Sequence, residues 1–194
     1  MKKLVVSFLF GITCMVSYGQ FTQGTIMVGG SFGADFDTEK TKTGNTTTVT
    51  GHTTSIDIAP SAGYFVIDNV AVGAAIDMYA SKYKSKDGLS TNSSNSVSFA
   101  PFARYYYQKF YGQGSFQLGT EKTKYVFDGN TTNTTSNISG WSLAVGYAYL
   151  LNQNVALEPQ IGFQSNGYKT GNDKDITSGL FLRIGFQIYL TKQP

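Results

Sequence analysis

Thr177-Ser178-Gly179-Leu180-Phe181-Leu182-Arg183-Ile184-Gly185-Phe186-Gln187-Ile188-Tyr189-Leu190 is a stretch in which every second side chain is apolar. Successive side chains of an extended chain point to opposite faces. Leu180, Leu182, Ile184, Phe186, Ile188 and Leu190 therefore share one face, and Gly179, Phe181, Arg183, Gly185, Gln187 and Tyr189 share the other. The first face is uniformly greasy. The second mixes glycines with an arginine and a glutamine, which suits the lumen of a small closed barrel better than a sheet face washed by water. The stretch reads as a membrane-crossing strand, the last of eight.

Seven earlier segments repeat the alternation over about ten residues, the length a tilted strand needs to cross a bilayer. Strand one, near 24–35, points Ile26, Val28, Phe32 and Ala34 outward and Thr25, Met27, Gly29, Ser31 and Gly33 inward. Strand two, near 54–66, has Ile56, Ile58, Pro60, Ala62 and Tyr64 outside and Asp57, Ser61 and Gly63 inside. Strand three, near 70–82, sets Val70, Val72, Ala74, Ile76 and Met78 against an inward Asp77, and strand four, near 96–108, sets Val97, Phe99, Pro101, Ala103, Tyr105 and Tyr107 against Arg104. Strand five, near 113–124, carries only Phe116 and Leu118 as greasy residues. Strand six, near 138–150, faces Trp141, Leu143, Val145, Tyr147 and Tyr149 outward, and strand seven, near 154–165, does the same with Val155, Leu157, Pro159, Ile161 and Phe163 while Glu158, Gln160 and Gln164 face in.

The connections alternate in length. Residues 36–53, 83–95, 125–137 and 166–176 are long and polar, whereas 67–69, 109–112 and 151–153 are short. In an up-and-down meander this places four long loops on one side and the short turns, with both termini, on the other; a Greek-key sandwich would not sort its loops so. Aromatics gather near strand ends, with Tyr64, Phe65, Tyr105, Tyr107, Phe110, Tyr111, Tyr147 and Tyr149 on the turn side and Phe36, Tyr79, Phe99, Trp141 and Phe163 toward the long connections. Two interfacial girdles are expected from this distribution.

The first nineteen residues read differently. Lys2 and Lys3 precede an apolar run from Leu4 to Val16, and Ser17-Tyr18-Gly19 puts small residues where a signal peptidase cuts. The expected organisation is a signal peptide, 1–19, cleaved after Gly19, and a barrel domain, 20–194. Cys14, the one cysteine, falls in the signal, and Gly11 and Thr13 do not fit a lipoprotein acylation site. The mature chain then has no disulfide and no thiolate metal ligand. The formal charge of +3 includes Lys2 and Lys3, so the barrel is nearly neutral and nothing points to nucleic acid. Charged residues make up 14% of the chain, and its polar character comes mainly from Ser, Thr, Asn and Gln, against both disorder and a helical membrane bundle.

Residues 60–75, Pro-Ser-Ala-Gly-Tyr-Phe-Val-Ile-Asp-Asn-Val-Ala-Val-Gly-Ala-Ala, together with Phe102-Ala103-Arg104-Tyr105-Tyr106-Tyr107 and Val155-Ala156-Leu157-Glu158, resemble the small outer-membrane β-barrel proteins of Bacteroidota, which are similar to OmpX and the OmpA transmembrane domain. The resemblance covers 20–191. It implies an all-β, eight-stranded antiparallel up-and-down transmembrane β-barrel in the cell outer membrane, delivered by the barrel-assembly machinery and monomeric. It implies no specific activity. Such barrels commonly end on an aromatic residue, a role for which Phe186 and Tyr189 are the candidates here.

Asp57, Asp77, Arg104, Glu158 and Arg183 fall on the predicted lumen face, with Glu121 as a further candidate. Setting strands seven and eight antiparallel puts Glu158 opposite Arg183, and arginine's planar fork satisfies carboxylates bidentately. A closed ionic plug is expected, because eight strands leave room for side chains and not for an aqueous channel. Lys82, Lys84, Lys86, Lys122, Lys124 and Lys169 lie near the long-connection rim, where lipopolysaccharide phosphates would attract them. His52 is the sole histidine. With Ser55 it raises a lipid A deacylase-like enzyme, but residues three apart on a strand face opposite ways, so no catalytic site is expected. A secreted lipocalin-like carrier is the remaining alternative, and it requires the greasy face to turn inward. The sequence thus predicts a structural, adhesive or surface-contacting barrel with no cofactor and no metal.

Overall fold

The computed structural model describes residues 21–43 and 46–191, and within them the side chains of all but 35–37, 39–43 and 46–49. The expected signal peptide 1–19, with Cys14, lies outside the described residues, as does the side chain of Phe36.

Among the described residues nine strands follow in order: β1 (Ile26–Thr43), β2 (Thr46–Ile67), β3 (Val70–Ser85), β4 (Ser90–Tyr107), β5 (Phe110–Phe127), β6 (Asn130–Tyr147), β7 (Tyr149–Leu150), β8 (Val155–Thr170) and β9 (Asp173–Leu190). β6 and β7 are one stave interrupted at Ala148, since both pair with β8 and the Ala148 amide donates to the Lys109 carbonyl at 2.7 Å. Eight antiparallel staves result, and β1 closes on β9. This is the up-and-down transmembrane barrel expected from the alternation.

Hydrogen-bonded partners fix its geometry. Followed once around the wall from Ile184 through Phe32, Ile58, Met78, Val97, Thr120, Asn137 and Lys169 to Lys174, they return to β9 ten residues nearer the long-hairpin end. Eight staves with that stagger tilt by about 40° and enclose a space that side chains can fill. The predicted parity holds around the wall. Ile26, Val97, Phe116, Leu143, Ile161, Leu180 and Leu182 are exposed on the outer face, whereas Met27, Phe102, Ala144 and Tyr189 are buried inside.

The four long connections expected at 36–53, 83–95, 125–137 and 166–176 are mostly strand, not loop. Pairing continues to Thr43↔Thr46, Lys84↔Thr91, Phe127↔Asn130 and Thr170↔Asp173. Polarity ceases to alternate there because neither face meets lipid, yet the backbone ladder runs on, helped by the β-branched threonines. Asp128 and Gly129 close the β5–β6 hairpin with φ of 47° and 78°, the pair of left-handed residues that a two-residue hairpin turn requires. At the tilt above, 18-residue β5 rises about 45 Å, roughly 20 Å beyond an apolar band of about 25 Å. Each hairpin is therefore a polar, strand-built stalk. His52, expected in a loop, is a residue of β2.

The narrow lumen admits bulky residues only where the opposing position gives up its side chain. Met27 lies against its cross-strand partner Gly63, Phe102 against Gly73, Tyr111 against Gly146 and Phe181 against Gly162. A Cβ on Gly146 would stand 2.3 Å from the Tyr111 ring, and one on Gly162 would stand 2.5 Å from the Phe181 ring. Tyr111 and Phe65 are thus interior residues, 3% and 0% exposed, and not members of the turn-side girdle to which the sequence assigned them. Tyr79 likewise shares the inward parity of Asp77 and donates to the Ser55 hydroxyl at 3.1 Å. The remaining aromatics, including Tyr64, Tyr105, Tyr107, Phe110 and Tyr149 below and Phe99, Trp141 and Phe163 above, are exposed on the outer face as a girdle requires.

Candidate functional site

The lumen is where the charged residues meet. β4 directs Phe102, Arg104 and Tyr106 inward, and the Arg104 guanidinium binds on all sides. Nη1 donates to Glu158 Oε2 at 2.7 Å and to the Tyr106 hydroxyl at 2.9 Å, while Nε and Nη2 both donate to Gln113 Oε1, at 2.8 and 2.6 Å. Its plane lies over the Tyr111 ring at 4.2 Å. The Tyr189 hydroxyl donates to the other Glu158 oxygen and contacts the Tyr106 hydroxyl at 3.0 Å. Arg104 and Glu158 are 6% and 1% exposed, so this pair is withdrawn from water and depends on its hydrogen bonds. Below it, Phe21 stacks on Tyr106 at 4.2 Å and packs with Phe65 and Tyr189, which closes the turn end with an apolar floor.

The expected Glu158–Arg183 pair does not form. Glu158 stands opposite Gly185 in β9, and Arg183 stands opposite Gln160, two pairs nearer the tips. Arg183 instead reaches across the lumen to Asp57, with Nε 3.3 Å from Oδ1, and to Asp77, with Nη1 3.9 Å from Oδ1. Two ionic tiers result, the lower centred on Arg104 and the upper on Arg183. Between them is a polar cavity of about 50 Å³ whose lining includes Ser31, Ser61, Ser115, Ser142 and Gln187, with room for a few water molecules. Glu121, nearer the tips, accepts from the Thr123 hydroxyl at 3.1 Å.

The upper tier is more open than the lower but still partly buried, with Arg183 24%, Asp57 15% and Asp77 14% exposed. Arg183→Leu is accordingly expected to cost about 1–2 kcal/mol, less than the loss of Arg104, because this tier is only partly withdrawn from water. Urea midpoints of the folded barrel in detergent measure this; a loss as large as that from removing Arg104 would mean that the upper tier, and not the lower, holds the lumen together.

Tyr106, Tyr111, Tyr189 and Gln113 complete the lower tier and were not among the predicted lumen charges. Parity was the available signal, since each shares its strand's inward face with a residue already assigned there. His52 is exposed on the outer face with Nδ1 3.3 Å from the Thr38 hydroxyl, whereas Ser55 is buried on the inner face. The two therefore stay on opposite sides of the wall. Among the described residues no group of three or more His, Cys, Asp or Glu side chains could hold a metal. Lys82, Lys84, Lys122, Lys124 and Lys169 are exposed strand residues of the stalks, and Lys86 lies in the β3–β4 turn.

A barrel of this build matches the family model described as the autotransporter beta-domain over residues 24–187. The chain belongs to the autotransporter β-domain family. This autotransporter β-domain finds no match among curated proteins. Among solved structures it is similar to Ail, the attachment invasion locus protein of Yersinia pestis, at 10% identity and a TM-score of 0.51, with 86% of this chain and 100% of that one covered. Neisserial surface protein A aligns at 18% identity and a TM-score of 0.47 over 86% of this chain and 97% of that one. OprG of Pseudomonas aeruginosa aligns at 11% identity and a TM-score of 0.46, with 89% and 99% covered. At these identities what the β-domain shares with Ail is the fold.

Proposed function

We propose that this β-domain is a closed outer-membrane barrel with a structural and surface-contacting role, its turns and termini in the periplasm and its four strand-built stalks outside the cell. What supports the reading most is the lower tier, in which Arg104, Glu158, Gln113, Tyr106 and Tyr189 hydrogen-bond to one another across the lumen and Tyr111 stacks on the guanidinium. The word autotransporter in the family's description suggests passage of an attached chain, and the occupied lumen argues against that. It fits the resemblance to the OmpX and OmpA type in Bacteroidota. A lipid-modifying enzyme would need a base and a nucleophile on one surface, and His52 and Ser55 do not provide it. A secreted carrier would need an apolar interior, and here Leu180, Leu182 and their row face outward.

The stalks supply the contacting surface. Their ends expose Leu89, Tyr125, Phe127 and Ile176 above an otherwise polar shaft. Protein inserted into planar bilayers is expected to give no steady conductance, and protease added to intact cells is expected to cut within the stalks and leave the rest protected. A stable open pore would overturn the closed-barrel reading, and cleavage only after the cells are broken would overturn the orientation.

A further inference from the structure

We propose that the outer faces of β3 and β5 form a site for one bisphosphorylated glycolipid of the surrounding leaflet; the inference rests on the outer-membrane reading above. Lys82 and Lys84 share the outward parity of Met78 on β3, and Lys122 and Lys124 share that of Leu118 on β5. All four are exposed. Ser93 of the intervening β4 pairs with Lys82 on one side and Lys124 on the other, Thr91 pairs with Lys84, and Asn95 pairs with Lys122.

The stagger of the barrel decides how these lysines lie relative to the membrane. Hydrogen-bonded partners climb toward the tips on passing from β3 to β5. Equal heights on β5 therefore lie about two residues below the bonded partner. Lys82 is thus level with Lys122, and Lys84 is level with Lys124. The four make a rectangle about 13 Å wide across β4, with about 5 Å between its rows. Its lower row stands about 10 Å above Met78 and Leu118, where the apolar rows of β3 and β5 end, which is the level of lipid headgroups.

No acidic side chain among the described residues shares the outer face of the neighbouring strands at this level, and the exposed carboxylates Asp87 and Asp128 lie in the turns above. Within the rectangle β4 presents Thr91, Ser93 and Asn95; beside it stand His52 and Thr54 on β2 and Asn133 and Thr135 on β6. Among the described residues none of the four lysines forms an ion pair. Asp77 and Glu121 point inward, and the Asp87 carboxylate in the nearby turn is held by the Ser85 hydroxyl and the Leu89 amide. Lysines at i and i+2 on one strand are about 7 Å apart, and their long stems let both ammonium groups converge on a single phosphate. Each strand thus provides one phosphate seat, and the two seats are a barrel chord apart. A phospholipid with one phosphate fills one seat, whereas an acylated sugar with a phosphate at each end fills both and keeps its chains against the apolar wall below.

The test uses the full chain refolded in neutral detergent and titrated with bisphosphorylated or monophosphorylated lipid A, with bound lipid counted by native mass spectrometry. One bisphosphorylated lipid is expected to bind at least tenfold more tightly than the monophosphorylated form, and salt is expected to weaken it. K82Q/K84Q/K122Q/K124Q is expected to abolish the preference. K169Q/K174Q, which removes a cross-strand lysine pair on β8 and β9, is expected to keep it. Equal binding of the two lipids, or a preference that survives in the quadruple variant, would overturn the site. Because the substitutions lie on exposed faces, both variants should retain the heat-modifiable band of a folded barrel. A wild-type chain that lacked this band and dissolved without detergent would instead overturn the outer-membrane reading itself.

Discussion

Arg104→Leu is expected to destabilise the folded barrel by about 3–5 kcal/mol, the cost of leaving one partner of a buried ion pair without the other. Glu158, at 1% exposure, would lose its guanidinium donor and with it its counter-charge, and Gln113 Oε1 would lose both guanidinium donors. The Phe21, Phe65 and Tyr106 floor shuts out water from the turn end, so only the few molecules that fit in the cavity between the tiers could take their place. Arg104→Lys should recover only part of the loss, since one ammonium cannot reach Glu158, Tyr106 and Gln113 in the fork geometry or lie flat on Tyr111. The double variant R104L/E158L should recover more, because it removes the stranded charge. Urea midpoints in detergent and the temperature at which the folded band disappears on a gel measure all three. A single-variant loss below about 1 kcal/mol, or a double variant less stable than R104L, would mean that the pair is not the organising contact of the lumen.

The sequence placed Arg104 and Glu158 inside the barrel but did not pair them, and the reason is geometric. Parity is local, and two residues on each side of a charge suffice to assign its face. Partnership across the lumen depends on the stagger accumulated over all the intervening strands, here β4 to β8, which no single hairpin records. Reading strands seven and eight as a hairpin gave Arg183 to Glu158, two residues out of register, and the turn at Gly171 with pairing out to Thr170↔Asp173 shows where the difference arose. The stalks were hidden for a related reason. Alternation in polarity reports lipid on one side and lumen on the other, so it falls silent above the membrane although the ladder persists. Asp87-Gly88, Asp128-Gly129 and Gly171-Asn172 were the sequence signals of tight turns in that region, set within polar runs that otherwise read as loop. Tyr111 and Phe65 were misplaced because aromatic residues near strand ends serve equally well as an outer girdle or an inner floor, and only parity separates the two.

Gly29→Val is expected to weaken the closing seam, at a cost of about 3 kcal/mol, the upper range for overpacking a filled interior. β1 meets β9 over seven pairs, from Ile26↔Leu190 to Phe32↔Ile184, and Gly29 is the central one, opposite Gln187. A Cβ there would lie 2.0 Å from the Phe186 carbonyl oxygen, 2.6 Å from Gln187 Oε1 and 2.9 Å from Gln187 Cα. Two of these three atoms are backbone, so a rotamer change in Gln187 cannot relieve the clash and β9 itself must move. Moving it breaks the ladder that makes the sheet a barrel, and in a membrane the freed amides and carbonyls have no water to bond. Closure also joins the most distant strands of the chain, so no local pairing compensates for a weakened seam. Gly112→Val provides the comparison: Gly112 faces outward with nothing within 4 Å of an added Cβ, and a change within about 0.5 kcal/mol is expected. The fraction of refolded protein that migrates as the compact band, read beside the urea midpoint, distinguishes the two. If Gly29→Val matched Gly112→Val in both, the contact between Gly29 and the β9 backbone would not be what holds the barrel shut.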